Sequence, residues 1–224
     1  MARRFAGVLD AVEAILIALV FATFAKTFVV QAFKIPSGSM EQNLLVGDHI
    51  LVNKFIYGPS PTALERKLLP VRPLERGDVT VFKFPQDPSR DFIKRCVALP
   101  GDRVELVDKR LFVNETEVDE SRYTLFTDPR VYPASRFLPE SRRFRDNYGP
   151  YLVPAAGYFC LGDNRDNSND SRVWESVPQG FVRGRAFMIY WSLEPAEMVG
   201  IEESSVFGRI WERIRWDRSF RVVR

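Results

Sequence analysis

The chain has 224 residues, of which 46% are hydrophobic and 27% charged, a composition typical of a folded protein with one or two domains. Its net charge of +3 gives no argument for a nucleic-acid partner. Two cysteines are too few for a scaffold held by disulfides, and a single histidine cannot build a zinc site at the usual ligand spacing. Metal catalysis is therefore not expected.

The first predicted element is an apolar helix near the N-terminus. Residues 14–33 contain only one charged side chain, Lys26, and a helix of this length just crosses a hydrocarbon core of roughly 30 Å. Arg3 and Arg4 favour a cytoplasmic N-terminus, which places everything after Phe33 outside. A cleaved secretory signal and a buried amphipathic helix are the alternatives. The pattern predicts a retained membrane anchor.

Short runs of β-branched and aromatic residues follow, separated by Gly, Pro and Asp clusters, and such runs are typical of strands. They read HILVNKF, DVTVFKF, DFIKRCVAL, YFCLGD and FVRGRAFMIYW. The stretch VELVDKRLFVN predicts a hairpin that turns at Asp108-Lys109. Residues 115–150 are polar and rich in proline, which indicates an insertion between two parts of one β core.

The C-terminal stretch VFGRIWERIRWDRSFRVVR alternates aromatic and basic residues at roughly helical spacing. This spacing predicts a short helix. The helix would either pack against the β core or lie on the surface in contact with lipid, and the pattern does not choose between them.

The stretch FKIPSGSMEQNL places two serines directly after the apolar segment, and serine becomes a nucleophile only when a neighbour removes its proton. The lone histidine, His49, begins a strand, and no G-x-S-x-G elbow presents a serine to it. The other available base is a lysine desolvated enough to be neutral. Lys94 is a candidate because FIKRCVALPGD places it in an apolar strand, although most strand lysines face water.

The segment GDNRDNSNDSR, residues 162–172, carries the densest set of polar side chains. Its acidic spacing invites comparison with a calcium loop, but Ser171 stands where the turn glycine belongs and Val177 where the bidentate glutamate belongs. The remaining interpretation is a network of Asp, Asn, Arg and Ser that orders a loop beside a site and orients a base.

Together, FKIPSGSM, GDVTVFKFP with FIKRCVALPGD, and GDNRDNSNDSR, in this order after one apolar span, resemble the bacterial type I signal peptidases. The resemblance implies a mainly β protein, with an N-terminal transmembrane helix before an antiparallel β catalytic domain that contains an inserted second β subdomain. The expected divisions are residues 1–34 for the anchor, 35–113 and 153–224 for the catalytic domain, and 114–152 for the insertion.

The function implied by the resemblance is that of a serine endopeptidase that removes signal peptides from secreted preproteins without a cofactor or metal. Its partners would be signal peptides and the lipid bilayer, with no nucleic acid, and the chain is expected to be a monomer. The implied location is the bacterial cytoplasmic membrane, with the catalytic domain on the extracytoplasmic side.

Residue by residue, the resemblance makes Ser39 the nucleophile and Lys94 the general base. Ser168 would orient that lysine by a hydrogen bond, and Ser37 would complete an oxyanion hole with the Ser39 amide. Two further residues of the third motif would hold its loop, and a pocket for small side chains would surround the cleavage site. The loop residues are Asp170 and Arg172, and the pocket residues are Phe33, Ile35, Pro36, Met40, Val81, Phe92 and Ile93.

The chain departs from the family pattern just after the nucleophile. The family usually has Pro-Thr shortly after the methionine, whereas this chain has Glu41-Gln42-Asn43. Without the proline, one φ angle is no longer fixed, so the backbone near Ser39 is either looser or held differently. Cys96 and Cys160 each lie beside a site motif in an apolar run, which favours buried free thiols over a disulfide.

Three other protein classes compete with this interpretation. A β-lactamase or penicillin-binding enzyme also pairs serine with lysine, but S-x-x-K is missing after Ser37, Ser39 and Ser89, and no K-T-G follows. Self-cleaving repressors with a Ser/Lys dyad are cytosolic and carry no membrane span. A non-enzymatic, membrane-anchored, β-rich envelope protein would give no role to Lys94 and Ser168.

Overall fold

The structure, a computed structural model, describes residues 2–24, 30–57, 71–195 and 210–223. Within these ranges the helices are α1 (Ala2–Phe24), α2 (Glu140–Arg143) and α3 (Ser171–Trp174), with short 3₁₀ helices at Gly38–Met40, Gln179–Phe181 and Ile210–Arg213. The strands are β1 (Val30–Lys34), β2 (Asp48–Asn53), β3 (Val79–Phe84), β4 (Asp87–Ala98), β5 (Arg103–Val107), β6 (Arg110–Val113), β7 (Thr116–Glu117), β8 (Tyr148–Leu152), β9 (Gly157–Leu161), β10 (Val177–Pro178), β11 (Val182–Ser192) and β12 (Arg221–Val222).

The larger sheet has the strand order β1-β2-β11-β3-β4-β9-β10, and β12 pairs with β11. Its strand pairs are antiparallel, so the prediction of a mainly β, antiparallel fold is confirmed. Successive side chains of a strand point to opposite faces, and β3 uses both of them. Val79 and Val81 pack into one hydrophobic cluster with Ile35 and Met40, whereas Phe82 and Phe84 pack into another.

A smaller sheet has the order β7-β6-β5-β8, and its apolar side chains share one hydrophobic cluster with residues of β4 and β9. The predicted hairpin at Asp108-Lys109 is confirmed, because β5 and β6 pair across this turn. Both turn residues have positive φ, 48° and 69°, as a two-residue turn between twisted strands requires. The predicted boundary at residue 114 falls inside this sheet, between β6 and β7. The division of the chain into domains stays a prediction.

The N-terminal helix ends earlier in the chain than the sequence predicts. Helix α1 ends at Phe24, and Val30–Lys34 forms strand β1 paired with β2, so a helix continuing to Phe33 is wrong. The reason is that residues 30–34 satisfy their backbone groups in a sheet ladder instead. Residues 25–29 lie outside the described part. Among the described residues, no helix combines the length and the apolar character that crossing a membrane requires.

The C-terminal segment is not a continuous helix in its described part, residues 210–223. A 3₁₀ helix at Ile210–Arg213 is followed by turns and by β12, which pairs with β11. Tertiary contacts override the helical spacing here, because Arg218 forms an ion pair with the fully buried Asp48 and Val223 enters the core. The segment therefore folds onto the larger sheet, close to the turn that follows Ser39.

Candidate active site

The turn that carries Ser39 follows directly on β1. Ser39 lies in the 3₁₀ helix Gly38–Met40, and its neighbours Ile35 and Met40 are buried in the core beneath the larger sheet. Its carbonyl oxygen accepts a hydrogen bond from the Asn164 amide at 3.1 Å. Core packing on one side and the 162–172 loop on the other therefore fix the position of the Ser39 side chain.

Lys94 lies in β4, opposite Thr80 of β3, and its side chain is only 4% exposed. The Lys94 Nζ is 2.8 Å from Ser39 Oγ and 2.9 Å from the carbonyl oxygen of Ile93. Burial lowers the pKa of Lys94 from 10.5 to about 8, although the charge of Asp170 acts in the opposite direction. The predicted burial of this lysine is confirmed, and a large fraction of its amine is neutral at mildly alkaline pH.

Ser168 lies beside this pair but does not bind Lys94. Its Oγ is buried and has no hydrogen-bond partner among the described residues, although it lies close enough to the Asp170 carboxylate to favour the charged form. The predicted hydrogen bond from the Lys94 amine to Ser168 Oγ is therefore absent. The Lys94 amine is instead directed at Ser39 and at the Ile93 carbonyl.

Asp170 and Arg172 form a buried ion pair, with Arg172 Nη2 2.8 Å from Asp170 Oδ2. Asp170 also accepts a hydrogen bond from the Gly162 amide at 3.0 Å. Burial opposes ionisation of Asp170, but Arg172 and these hydrogen bonds hold the pKa of its carboxyl below the ordinary value. Because Arg172 also donates to the carbonyl oxygens of Arg165 and Arg145, the pair holds the loop together and connects it to the segment that precedes β8.

A cleft of about 530 Å³ opens above Ser39 and Lys94. Of the predicted pocket residues it is lined by Pro36, Phe92 and Ile93, and the exposed Ser37 lies on the same wall. The other predicted pocket residues do not line the cleft. Ile35, Met40 and Val81 are buried core residues: Ile35 follows β1, Met40 ends the 3₁₀ helix, and β3 directs Val81 inward. Phe33 packs against that core.

Several residues that line the cleft were missed by the sequence analysis. Asn167 and Asn169 belong to the third motif and flank Ser168. Their position beside a predicted site residue could have identified them as cleft residues. The other three are Gly38, which lies between the two serines of the first motif, and Arg90 and Asp91, which directly precede FIKRCVALPGD.

The two cysteines and the histidine do not line the cleft. Cys96 and Cys160 stand directly opposite each other on β4 and β9, and both are buried free thiols, as predicted. Burial raises the pKa of Cys96, so its thiol is a poor nucleophile. His49 lies in β2, where its ring makes an edge contact with Tyr190.

Comparison with known proteins identifies the family. The sequence profile described as "Signal peptidase, peptidase S26" matches residues 8–191, a region that contains every residue of the cleft. The chain belongs to this family. Signal peptidase I of Pseudomonas fluorescens is 39% identical over 209 residues, covering 83% of this chain and 73% of the relative. Signal peptidase I of Aquifex aeolicus (strain VF5) is 33% identical over 213 residues, covering 75% and 78%.

As a member of this family, the chain is a serine peptidase. A solved structure of a signal peptidase I from Enterococcus faecalis V583 is 28% identical and covers 51% of this chain and 97% of its own. Its TM-score against this chain is 0.38, so the family assignment comes from the sequence comparisons.

Proposed function

We propose that this serine peptidase removes signal peptides from secreted preproteins, with Ser39 as nucleophile and Lys94 as general base. The observation that carries the proposal is the 2.8 Å separation between Lys94 Nζ and Ser39 Oγ, on a lysine whose burial lowers its pKa to about 8. A nucleophile and a base at this distance, within a cleft, are the arrangement that covalent hydrolysis of an acyl group needs.

The reaction proceeds through an acyl-enzyme. The neutral amine of Lys94 accepts the Ser39 proton as Ser39 Oγ attacks the scissile carbonyl carbon. The resulting ammonium donates its proton to the leaving amine, and the carbon-nitrogen bond breaks. Lys94, neutral again, accepts a proton from water as the water oxygen attacks the ester carbon. The Lys94 ammonium then donates this proton to Ser39 Oγ as the ester carbon-oxygen bond breaks, which restores Ser39 and neutral Lys94.

The oxyanion formed in each step needs hydrogen-bond donors that are already in place. The amide of Ser39 is one candidate, and the hydroxyl of Ser37 is the other. Two observations support this role for Ser37. It lines the cleft, and its hydroxyl is not used in a capping bond to the 3₁₀ helix that follows. Loss of one such donor lowers kcat by about 100- to 1000-fold in comparable enzymes.

The cleft suits an extended peptide with small side chains. Residues Asp91–Ile93 of β4 pair with β3 on one side, whereas the pairing of β4 with β9 begins only at Arg95. In the described part of the chain, the other edge of this segment is therefore available to a substrate strand, which would add to the sheet through backbone hydrogen bonds. Pro36, Phe92 and Ile93 form apolar walls that favour a small residue before the cut.

We also propose that the N-terminal segment attaches the enzyme to the cytoplasmic membrane, with the catalytic residues on the extracytoplasmic side. The proposal is supported by large apolar side chains of α1 that are more than half exposed and so lack protein contacts to cover them. They include Ile15, Ile17 and Phe21. Because β1 follows soon after α1 and leads into the Ser39 turn, lipid contact by α1 would hold the cleft near the bilayer, where signal peptides lie. The enzyme would act as a monomer.

The orientation can be checked with a reporter that fluoresces only in the cytoplasm, fused after Arg224. We expect dark cells, because Arg3 and Arg4 favour a cytoplasmic N-terminus and place the catalytic part outside. The same reporter fused before Met1 is the positive control and should be bright. Bright cells from the fusion after Arg224 would reverse the proposed orientation.

The catalytic proposal is tested with detergent-solubilised protein and a peptide that carries an Ala-x-Ala site. Replacing Ser39 with alanine should lower the cleavage rate by about 1000-fold or more, because the nucleophile is removed. Ser89→Ala is the matched control, since Ser89 is exposed in β4 and its Oγ bonds only locally to Asp87. Cleavage by Ser39→Ala at the wild-type rate would refute Ser39 as nucleophile, and a wild-type protein without activity would favour the non-enzymatic envelope protein.

A further inference from the structure

The three residues after the Ser39 helix, Glu41-Gln42-Asn43, form a turn with an uncommon backbone. Gln42 has a φ of 89°, in the left-handed region that residues other than glycine seldom adopt. The turn is closed by the amides of Asn43 and Leu44, which donate to the Met40 carbonyl oxygen at 3.2 and 2.8 Å. A strained backbone conformation of this kind persists only where surrounding contacts stabilise it, so the contacts of this turn must hold it in place.

The first contact comes from Glu41. Its Oε2 accepts a hydrogen bond from Asn164 Nδ2 at 3.0 Å, and the amide of the same Asn164 donates to the Ser39 carbonyl oxygen. The Glu41 carboxylate also lies over Gly38, where an added methyl group would be 2.5 Å from Oε1. Asn164 therefore donates two hydrogen bonds to the turn that carries the nucleophile, one to the backbone of Ser39 and one to the side chain of Glu41.

The second contact comes from Asn43 and reaches the strand of the base. Asn43 Nδ2 donates to Asp163 Oδ2 at 2.7 Å. The same carboxylate binds Arg95 through two bonds of 2.8 and 2.7 Å, and both members of this pair are buried. Because Arg95 directly follows Lys94 in β4, the path from Asn43 through Asp163 to Arg95 connects the turn of the nucleophile to the strand of the base.

The Asn43 backbone is held as well. Its carbonyl oxygen accepts a hydrogen bond from Arg218 Nη2 at 2.8 Å, and Arg218 is fixed by its ion pair with the buried Asp48. The turn is thus bound by the 162–164 segment on one side and by the C-terminal segment on the other. At this place the family usually has a proline, which fixes one φ angle of the backbone. In this chain, hydrogen bonds from and to the turn restrain the backbone instead.

We propose that Glu41 and Asn43 are positioning residues, which hold the Ser39 turn against residues 162–164 and so keep Ser39 Oγ within reach of Lys94. The proposal rests on the proposed function of the Ser39-Lys94 pair. A displacement of about 1 Å between reacting groups can lower a rate by about 100-fold, so two bonds that fix this turn affect the chemical step directly.

The test measures kcat, KM and the pH profile with the Ala-x-Ala peptide. For Glu41→Ala we expect kcat to fall by about 10- to 100-fold with KM changed less than about twofold, because the cleft residues stay in place. We also expect the apparent pKa of the activity to rise by about half a unit to one unit, because a looser turn admits water to Lys94. Glu41→Gln retains an oxygen that accepts from Asn164 and should stay within about threefold of the wild type.

Asn43→Ala tests the second contact independently and should give the same fall in kcat and the same shift in pH profile. The matched control is Gln42→Ala, since Gln42 is exposed in the same turn and its backbone strain is unchanged. Far-UV circular dichroism and the unfolding temperature check that each variant is folded. If Glu41→Ala does not fold, the kinetics of Asn43→Ala test the proposal on their own.

Two results would overturn the proposal. One is wild-type kcat and pH profile in both alanine variants, and the other is a Glu41→Gln variant as impaired as Glu41→Ala. These outcomes are separate from a failure of the proposed function, in which the wild-type protein itself does not cleave the peptide or Ser39→Ala cleaves it normally.

Discussion

Replacing Lys94 with arginine is expected to abolish peptide cleavage while the protein stays folded. A guanidinium keeps its proton at any working pH, so it cannot accept the proton of Ser39. Loss of a general base typically costs about 100- to 10,000-fold in rate, and here the same group also serves as the acid, so we expect a loss near the upper end. The measurement is kcat/KM for the Ala-x-Ala peptide.

The role of Lys94 as the base also predicts how wild-type activity depends on pH. Only the neutral amine can act as the base, so wild-type activity should rise as pH increases through the pKa of Lys94, which burial lowers from 10.5 to about 8. Lys83→Arg, in the neighbouring strand β3, is the matched control and should leave the profile unchanged. If Lys94→Arg cleaves at the wild-type rate, Lys94 is not the base and the dyad proposal fails with it.

Replacing Gly162 with alanine is expected to impair both catalysis and stability. The added methyl group would collide with Ser168 Oγ and lie 2.5 Å from the Ser39 carbonyl oxygen. No rotation of a flexible side chain relieves the second contact, because that oxygen belongs to the backbone of the nucleophile. We expect kcat to fall by about 100-fold or more as the Ser39 turn is displaced, and the free energy of unfolding to fall by about 1–3 kcal/mol.

Cleavage kinetics and urea unfolding on the same preparation check both parts of this prediction. Gly180→Ala is the matched control, since a methyl group added there meets nothing within 4 Å. We expect this control to keep wild-type kinetics and stability. Wild-type kcat in Gly162→Ala would show that the Ser39 turn and the 162–172 loop are less tightly packed than the structure indicates.

The sequence by itself determined the elements of the fold. Runs of β-branched and aromatic residues predicted β2, β3, β4, β9 and β11, because such side chains suit a pleated and partly buried surface. The hairpin at Asp108-Lys109 was also predicted, since its turn is decided by neighbouring residues. The same local reasoning found two serines after an apolar segment and a candidate base, Lys94, in an apolar strand. The resemblance to the type I signal peptidases then selected Ser39, which the structure brings within 2.8 Å of Lys94.

Only the tertiary structure decided how these elements meet. Ser39 and Lys94 are 55 positions apart in the chain, and their 2.8 Å contact depends on the order of strands in the larger sheet. The apolar run that favoured a helix through Phe33 ends in a strand, because β2 offers it a partner. The side chain of Met40 belongs to the core and that of Asn43 to the Asp163-Arg95 pair, which their sequence neighbours do not reveal. Local patterns fix backbone conformation, whereas the distances within a site are set by packing between distant segments.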